Sequence, residues 1–487
     1  MISKIMISKI MMNKVTIRTK LLPVFFSLLL SASLTLAQKQ VQMPKDLPPY
    51  GPEKPLSTPN VKSAKLENGL SLWLVSEPGF PKVALTIVVR GGLAADPANH
   101  SGISELLSKT IDQGTRTRNA KQIAQQMQEA GGDLSASADK DSFQVSTVVL
   151  SSKADTALGV LADVLQNATF PDAEVTLAKR NLADSIEQRE AETSFLAQRA
   201  RDKILFADHP YHVVAPTKES VAAMTPADLR EVFAQRFRPD QAILIAVGDF
   251  QNDKMIDAAK SAFGAWKASA GAPVGATSAP TASVEHAVFL VPRPQSVQTT
   301  IELASFGPRR GEPDYAAAQV ANGIYGGLFS SRLTSNIRED KGYTYSPYSY
   351  VNPFQHSAEI ISHADVRNDV TGATLNEINY ELNRLATTSP TDEELNAARR
   401  NLVGNEALSL QDRGSLASRL ATLWVDGLQP DYIGTYGQQL TSTTTAAVDA
   451  AARKYFPAHR MAIIAVGEEK VVREALAPFG LTVHAVP

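Results

Sequence analysis

Thr225 to Asp249 reads TPADLREVFAQRFRPDQAILIAVGD, and Thr444 to Glu468 reads TTAAVDAAARKYFPAHRMAIIAVGE. Each stretch passes from a helical segment through an aromatic residue and a proline into an apolar strand that stops at Ala-Val-Gly and an acid. The halves also open alike, with a short strand (Leu72 to Val75, or Val288 to Val291), a turn and a second strand (Val83 to Val89, or Thr299 to Ala304). A repeat spacing of about 220 residues is far beyond the roughly 20 to 50 of a solenoid, so one fold is written twice. Within the first half the spacing predicts a helix from about Gly102 to Ile111 and another from Asn119 with Ile123 and Met127 on one face. A strand over Phe143 to Leu150 follows, then helical periodicity over Lys153 to Leu165 and Asp172 to Leu205. Strands and long helices come in separate runs. The expected class is therefore α+β: two duplicated domains, each an antiparallel-rich sheet with helices packed on one face.

The chain has 487 residues, 44% hydrophobic and 20% charged, which is enough for two cores. Residues 1–37 differ in kind: Lys4, Lys9, Lys14, Arg18 and Lys20 precede an apolar run from Leu21 to Leu36 without any acid, the layout of a secretory signal peptide. The run holds Pro23 and three serines and falls short of the roughly 20 apolar residues a spanning helix needs. Cleavage after Ala37 and a periplasmic or otherwise exported location are expected, the alternative being an uncleaved anchor, and no firm membrane association is expected. The repeat of MISKI at Met1 and Met6 hints at a later start codon. Residues 38–60 read as a Pro-rich, poorly ordered lead-in, 61–267 as the first domain, 268–283 as an Ala/Gly/Pro/Ser linker, and 284–487 as the second domain. Without cysteine no disulfide staples the fold. Taking the leader's five basic residues from 48 Lys and Arg leaves 43 against 50 Asp and Glu, near −7, which gives no electrostatic case for nucleic acid.

Several short motifs follow in a fixed order: Arg90-Gly91-Gly92, Gly102 before a helix, Gly114-Thr115-Arg116-Thr117-Arg118 and Gly131-Gly132. In the second half come Gly326-Gly327-Leu328-Phe329-Ser330-Ser331-Arg332-Leu333, Ile337-Arg338-Glu339 and Gly342-Tyr343-Thr344-Tyr345-Ser346. In this order and spacing the chain resembles the pitrilysin, insulinase and mitochondrial-processing-peptidase family of zinc peptidases over nearly its whole length after the leader. The resemblance implies a zinc site on an inverted His-x-x-Glu-His helix, with a distal Glu from a later helix. Registered on Gly102, the first His position falls on Glu105, the general base on Ser108, the second His on Lys109 and the distal Glu on Ser185, with Glu187 as the alternative register. An ammonium at its ordinary pKa has no lone pair to give, and a serine cannot take a proton from water near neutral pH unaided. No zinc is therefore expected in this chain. As a plain surface helix, Glu105 and Lys109 would form an i,i+4 ion pair; alternatively the Lys109 charge stands where the metal's would have been. His209 and His212 in His-Pro-Tyr-His are expected to form a structural turn.

The family's other requirement is an Arg seven residues before a Tyr, and it maps on to Arg338 and Tyr345. The resemblance implies that these reach the scissile carbonyl and stabilise the oxyanion. Gly342 would allow the turn that brings them together. The bland alternative has Arg338 solvated, Tyr345 packed as a strand residue among Tyr343, Tyr348 and Tyr350, and Ser330-Ser331-Arg332 serving as a helix cap. Because such families enclose a chamber with four domains, a two-domain chain is expected to pair. The resemblance thus implies a non-catalytic, substrate-binding subunit of an exported heterodimeric zinc metallopeptidase. Its partner would be a homologous subunit bearing His-x-x-Glu-His and zinc, and its substrate peptides or unfolded polypeptides. The alternative is a peptide-binding or scaffolding protein without proteolysis. No Walker loop, Gly-x-Ser-x-Gly elbow or cysteine nucleophile suggests other chemistry.

Overall fold

The computed structural model describes Gly51 and residues 54–268, 278–281 and 283–486. The expected leader, most of the lead-in and most of the linker lie outside the described residues. From Lys54 onward the chain forms one compact unit. Two six-stranded sheets organise it, in the orders β1-β2-β6-β3-β5-β4 and β12-β7-β11-β8-β10-β9. The first contains β1 Lys62–Lys65, β2 Ser71–Ser76, β3 Lys82–Arg90, β4 Ser135–Ala138, β5 Ser142–Leu150 and β6 Ala242–Gly248. The second contains β7 Val288–Pro292, β8 Gln298–Phe306, β9 Tyr348–Pro353, β10 Ala358–Arg367, β11 Ala462–Gly467 and β12 Val483–Ala485. Five strands recur in the same order. Only the sixth differs, coming from the start of the first half (β1) but from the end of the second (β12). The Ala-Val-Gly strands β6 and β11 are central, each parallel to one neighbour and antiparallel to the other.

Five helices bear on function: α1 Ile103–Ser108, α2 Asp172–Glu190, α3 Thr193–Phe206, α4 Arg413–Val425 and α5 Tyr432–Ser442. The segment expected as one helical run from Asp172 to Leu205 is two helices, since the chain turns at Ala191 and extends through Glu192. The turn sends α3 across to the opposite face of the second sheet. There Ala197, Ala200, Leu205 and Phe206 meet Val291, Ala304, Ile361, Ile464 and Val466. In return α4 leaves the second half and lies on the first sheet, where Leu416 and Leu420 share a core with Trp73, Val75, Ala84, Val88, Ile243 and Ile245. The alternate residues Leu72, Leu74, Leu85, Ile87 and Leu244 face their own half's helices. Each sheet thus carries helices on one face, as the class expects, and a helix lent by the other half on its second face. Burial on both sides is why the central strands are apolar without alternation. At one seam the Arg90 guanidinium lies 4.4 Å from the Trp424 ring and donates to the Trp424 carbonyl at 3.0 Å.

Packing starts ahead of Val61. Leu56 and Thr58 lie on α5, where Gly434 and Gly437 leave the helix surface bare. A Cβ at Gly437 would come within 2.8 Å of Leu56, with the Leu56 Cβ itself 2.9 Å away. Gly437→Ala is therefore expected to lose about 1 kcal/mol or more through overpacking. Gly404→Ala, in the helix Asp392–Ser409 with nothing within 4 Å, should gain roughly 0.5–1 kcal/mol from backbone entropy. Urea denaturation of both variants checks the contrast, and equal gains would refute the packing of Leu56 on α5. Among the described residues no helix is long and apolar enough to cross a membrane.

Candidate functional site

The second half brings Arg338 and Tyr345 together. Ser331 caps a short helix, Arg332–Thr334, by accepting from the Thr334 backbone N–H, and the chain continues as a wider π-helical turn over Ser335–Asp340. Arg332 is buried and forks on to Glu394 at 2.7 and 2.9 Å. Its hydrogen bonds hold the Glu394 carboxyl down at about 2. Ser330-Ser331-Arg332 is accordingly an anchor for the segment that carries Arg338. The helix ends at Gly342, in the left-handed region at φ 62. The Gly342 N–H donates to the Arg338 carbonyl at 3.2 Å, the bond of an αL helix end, and the Tyr343 N–H donates to the Ile337 carbonyl at 2.8 Å as the chain reverses.

That reversal returns Tyr345 to Arg338. The guanidinium carbon lies 4.8 Å from the Tyr345 ring centre and 4.6 Å from that of Phe329. Tyr345 is 80% and Phe329 72% exposed, so the half-buried cation meets two rings that stand at the surface. Each exposed contact of this kind is worth about 0.5–1 kcal/mol. Glu339 adds an ion pair at 3.1 Å. Tyr345 lies outside β9, whereas Tyr348 and Tyr350 are strand residues, stacked at 5.9 Å, with Tyr348 also on His363 at 4.5 Å. Glu339 sits at the Nε of the guanidinium, and its two terminal nitrogens have no acceptor among the described residues. The Tyr345 hydroxyl has no hydrogen-bond partner among the described residues. Directly downstream, β9 is a sheet edge with a strand on one side only. Phe329 is the member that motif reading missed; a large aromatic within a Gly-Gly-Leu-Phe-Ser stretch is its one sequence signal.

In the first half Glu105 is paired, at 2.9 Å, with Arg189 of α2 and not with Lys109 as a surface helix would have it. The reason is that α1 ends at Ser108, leaving Lys109 as its C-cap beyond the last helical turn. The buried Ser108 hydroxyl donates back to the Glu105 carbonyl at 2.8 Å. Lys109 and Ser185 line one cleft between the end of α1 and α2, of about 270 Å³. Glu187 pairs with Lys218 at 2.8 Å and is not in that cleft, so of the two registers Ser185 is the one that faces the end of α1. The donor set is thus a carboxylate already matched by a guanidinium, two hydroxyls and an ammonium. That set does not fit zinc, which takes imidazole, thiolate or free carboxylate ligands. Among the described residues no cluster of three or more His, Asp or Glu is placed to hold a metal. His209 accepts from the Tyr211 N–H and meets the Ser278 carbonyl at 2.6 Å, while His212 meets the His209 carbonyl at 2.8 Å, a self-contained turn.

Residues 72–214 match the family model for insulinase (peptidase family M16), and residues 223–402 match that for the peptidase M16 inactive domain. An uncharacterized zinc protease of Bacillus subtilis, YmxG, is 25% identical over 74% of this chain and 87% of its own. An uncharacterized zinc protease of Mycobacterium bovis is 26% identical over 84% and 93%. Among solved structures, a peptidase M16 inactive domain from Pseudomonas fluorescens matches with TM-score 0.78 at 25% identity, covering 84% of this chain and 98% of that one. A protease from Helicobacter pylori matches in fold with TM-score 0.80 at 18% identity, covering 84% and 100%.

Proposed function

The chain belongs to peptidase family M16, the insulinase family, and from that premise we propose that it is the non-catalytic, substrate-binding subunit of an exported peptidase whose zinc is held by a second, homologous chain. The reading rests on one observation: Arg338 lies against the surface rings of Phe329 and Tyr345, while the positions that would hold metal carry Glu105, Ser108, Lys109 and Ser185. The arrangement suits a peptide carbonyl whose oxygen gains charge as water adds to its carbon, before the bond to nitrogen breaks. Arg338 donates from its terminal nitrogens and the Tyr345 phenol from beside it, while neither competes as a base. An extended peptide has a row of backbone partners available along β9, which begins three residues after Tyr345. Export rests on the basic-then-apolar leader.

The test is reconstitution. The purified chain is mixed with a co-encoded homologue that carries His-x-x-Glu-His, and cleavage of unfolded polypeptide is followed. Activity is expected only from the mixture. An inert mixture, or a pure chain that holds stoichiometric zinc and cuts peptides alone, ends the proposal.

A further inference from the structure

We propose that the cleft between the end of α1 and α2 is a binding site for a carboxylate on an aliphatic body, the chemistry shared by a peptide's C-terminal residue and a small free acid. Three donors border it without a protein acceptor among the described residues: the Lys109 ammonium, the Ser185 hydroxyl and the Asn181 amide. Lys109 has no carboxylate at ion-pair distance among them, since its i−4 neighbour Glu105 is taken by Arg189. Asn181 and Ser185 lie one turn apart on α2, so both face Lys109 across the cleft. The same stripe continues one turn back to Leu177, which is 49% exposed, and the buried Leu182 forms the floor. Polar donors at one end and leucines at the other set both the orientation and the class of occupant.

Charge and size narrow the class. One uncommitted cation with two neutral donors balances a single negative charge, whereas a doubly charged phosphate would want a second cation. Glu174 stands at the rim and opposes any anion, which further disfavours the more highly charged one. The volume of about 270 Å³ equals on the order of nine waters, room for one leucine-sized residue inside the cleft. This site is separate from the Arg338 cluster and does not depend on the function proposed above.

The test titrates the full chain with acetyl-leucine, acetyl-leucinamide and 4-methylpentanoate by ligand-observed NMR. Acetyl-leucine should bind saturably, and the amide roughly ten-fold or more weakly, since a charge-assisted hydrogen bond is lost. Lys109→Met should weaken the acid by a similar factor and Lys109→Arg should retain it, both with unchanged melting because Lys109 is exposed. Glu174→Gln should tighten binding, and Arg338→Ala should leave it alone. Binding of 4-methylpentanoate as tight as acetyl-leucine marks a site for free acids, and weaker binding marks a peptide terminus; either upholds the carboxylate site. Equal binding of acid and amide, no saturation by the acid, or indifference to Lys109→Met overturns it.

Discussion

Arg201→Met is expected to lower folding stability by about 3–5 kcal/mol, the largest loss from any single substitution considered for this chain. Arg201, on α3, is 2% exposed. It meets Glu302 at 2.9 Å, Asp202 at 3.1 Å and Glu359 at 3.2 Å. Lys140 shares Asp202 at 2.7 Å, and His363 bridges Glu302 at 3.0 Å and Asp365 at 3.1 Å. Without the guanidinium, Glu302 and Glu359 remain buried under the lent helix with too little positive charge. Urea denaturation of the full chain measures the loss. Adding Glu302→Gln to Arg201→Met should recover part of it, because the two residues share one network. A loss under 1 kcal/mol would mean that the network does not hold α3 in place.

The same network gives stability a pH slope. Burial works against the His363 imidazolium, but its hydrogen bonds to Asp365 and Glu302 and their charges outweigh burial and hold its pKa up at about 9, above the ordinary 6.5. A folded-state pKa raised in this way contributes stability that is fully present below about pH 6.5 and is lost as pH climbs through 9. Burial also raises the Glu359 carboxyl, against the pull of Arg201, and this contribution likewise falls as pH rises. His363→Gln should therefore flatten the decline on the alkaline side.

The second large effect concerns activity. In the reconstituted pair, Arg338→Ala is expected to lower kcat about 100-fold, the usual scale for removing one donor from a developing oxyanion. Lysine should rescue little, because its ammonium cannot offer a planar edge. Tyr345→Phe keeps the wall and removes the hydroxyl, so its effect should be smaller, roughly ten-fold. Phe329→Ala touches no reacting atom; it frees the guanidinium to wander and should raise KM together with a drop in kcat. Phe329 and Tyr345 are exposed and Arg338 is half-buried, so melting should fall by a few degrees at most. Steady-state kinetics that stay within two-fold of the parent for every variant would remove Arg338 from the reaction.

The duplicated sheets were readable because strands buried on both faces are long unbroken apolar runs, and ILIAVG and AIIAVG show them twice. The exchange of α3 and α4 was not. Helical spacing runs on through Ala191 and Glu192 with no Gly or Pro to mark the turn, and nothing local says which sheet an apolar face will meet. Arg338 and Tyr345 could be found from family spacing together with Gly342, whose left-handed backbone requires the turn. Phe329 could not, since no family spacing marks it and its contact with Arg338 is made in space, across the Ser331-capped turn between them. The Glu105–Lys109 pair of the surface-helix alternative is not formed for a related reason: periodicity sees Lys109 four residues away but not Arg189 on another helix. The docking of Leu56 was hidden by a Pro-rich composition, because the complementary feature is the missing side chain of Gly437 on α5.

The lent helices also bear on the order in which the protein can be made. A ribosome finishes β2, β3 and β6 long before it reaches residue 413, so Trp73, Val75, Ala84 and Val88 emerge with no cover of their own. Until α4 arrives, that greasy sheet face is open to any passing chain, and α3 has no surface to settle on. The first half released alone should be sticky and short-lived, and a chaperone that shields one flat apolar face would find its client there.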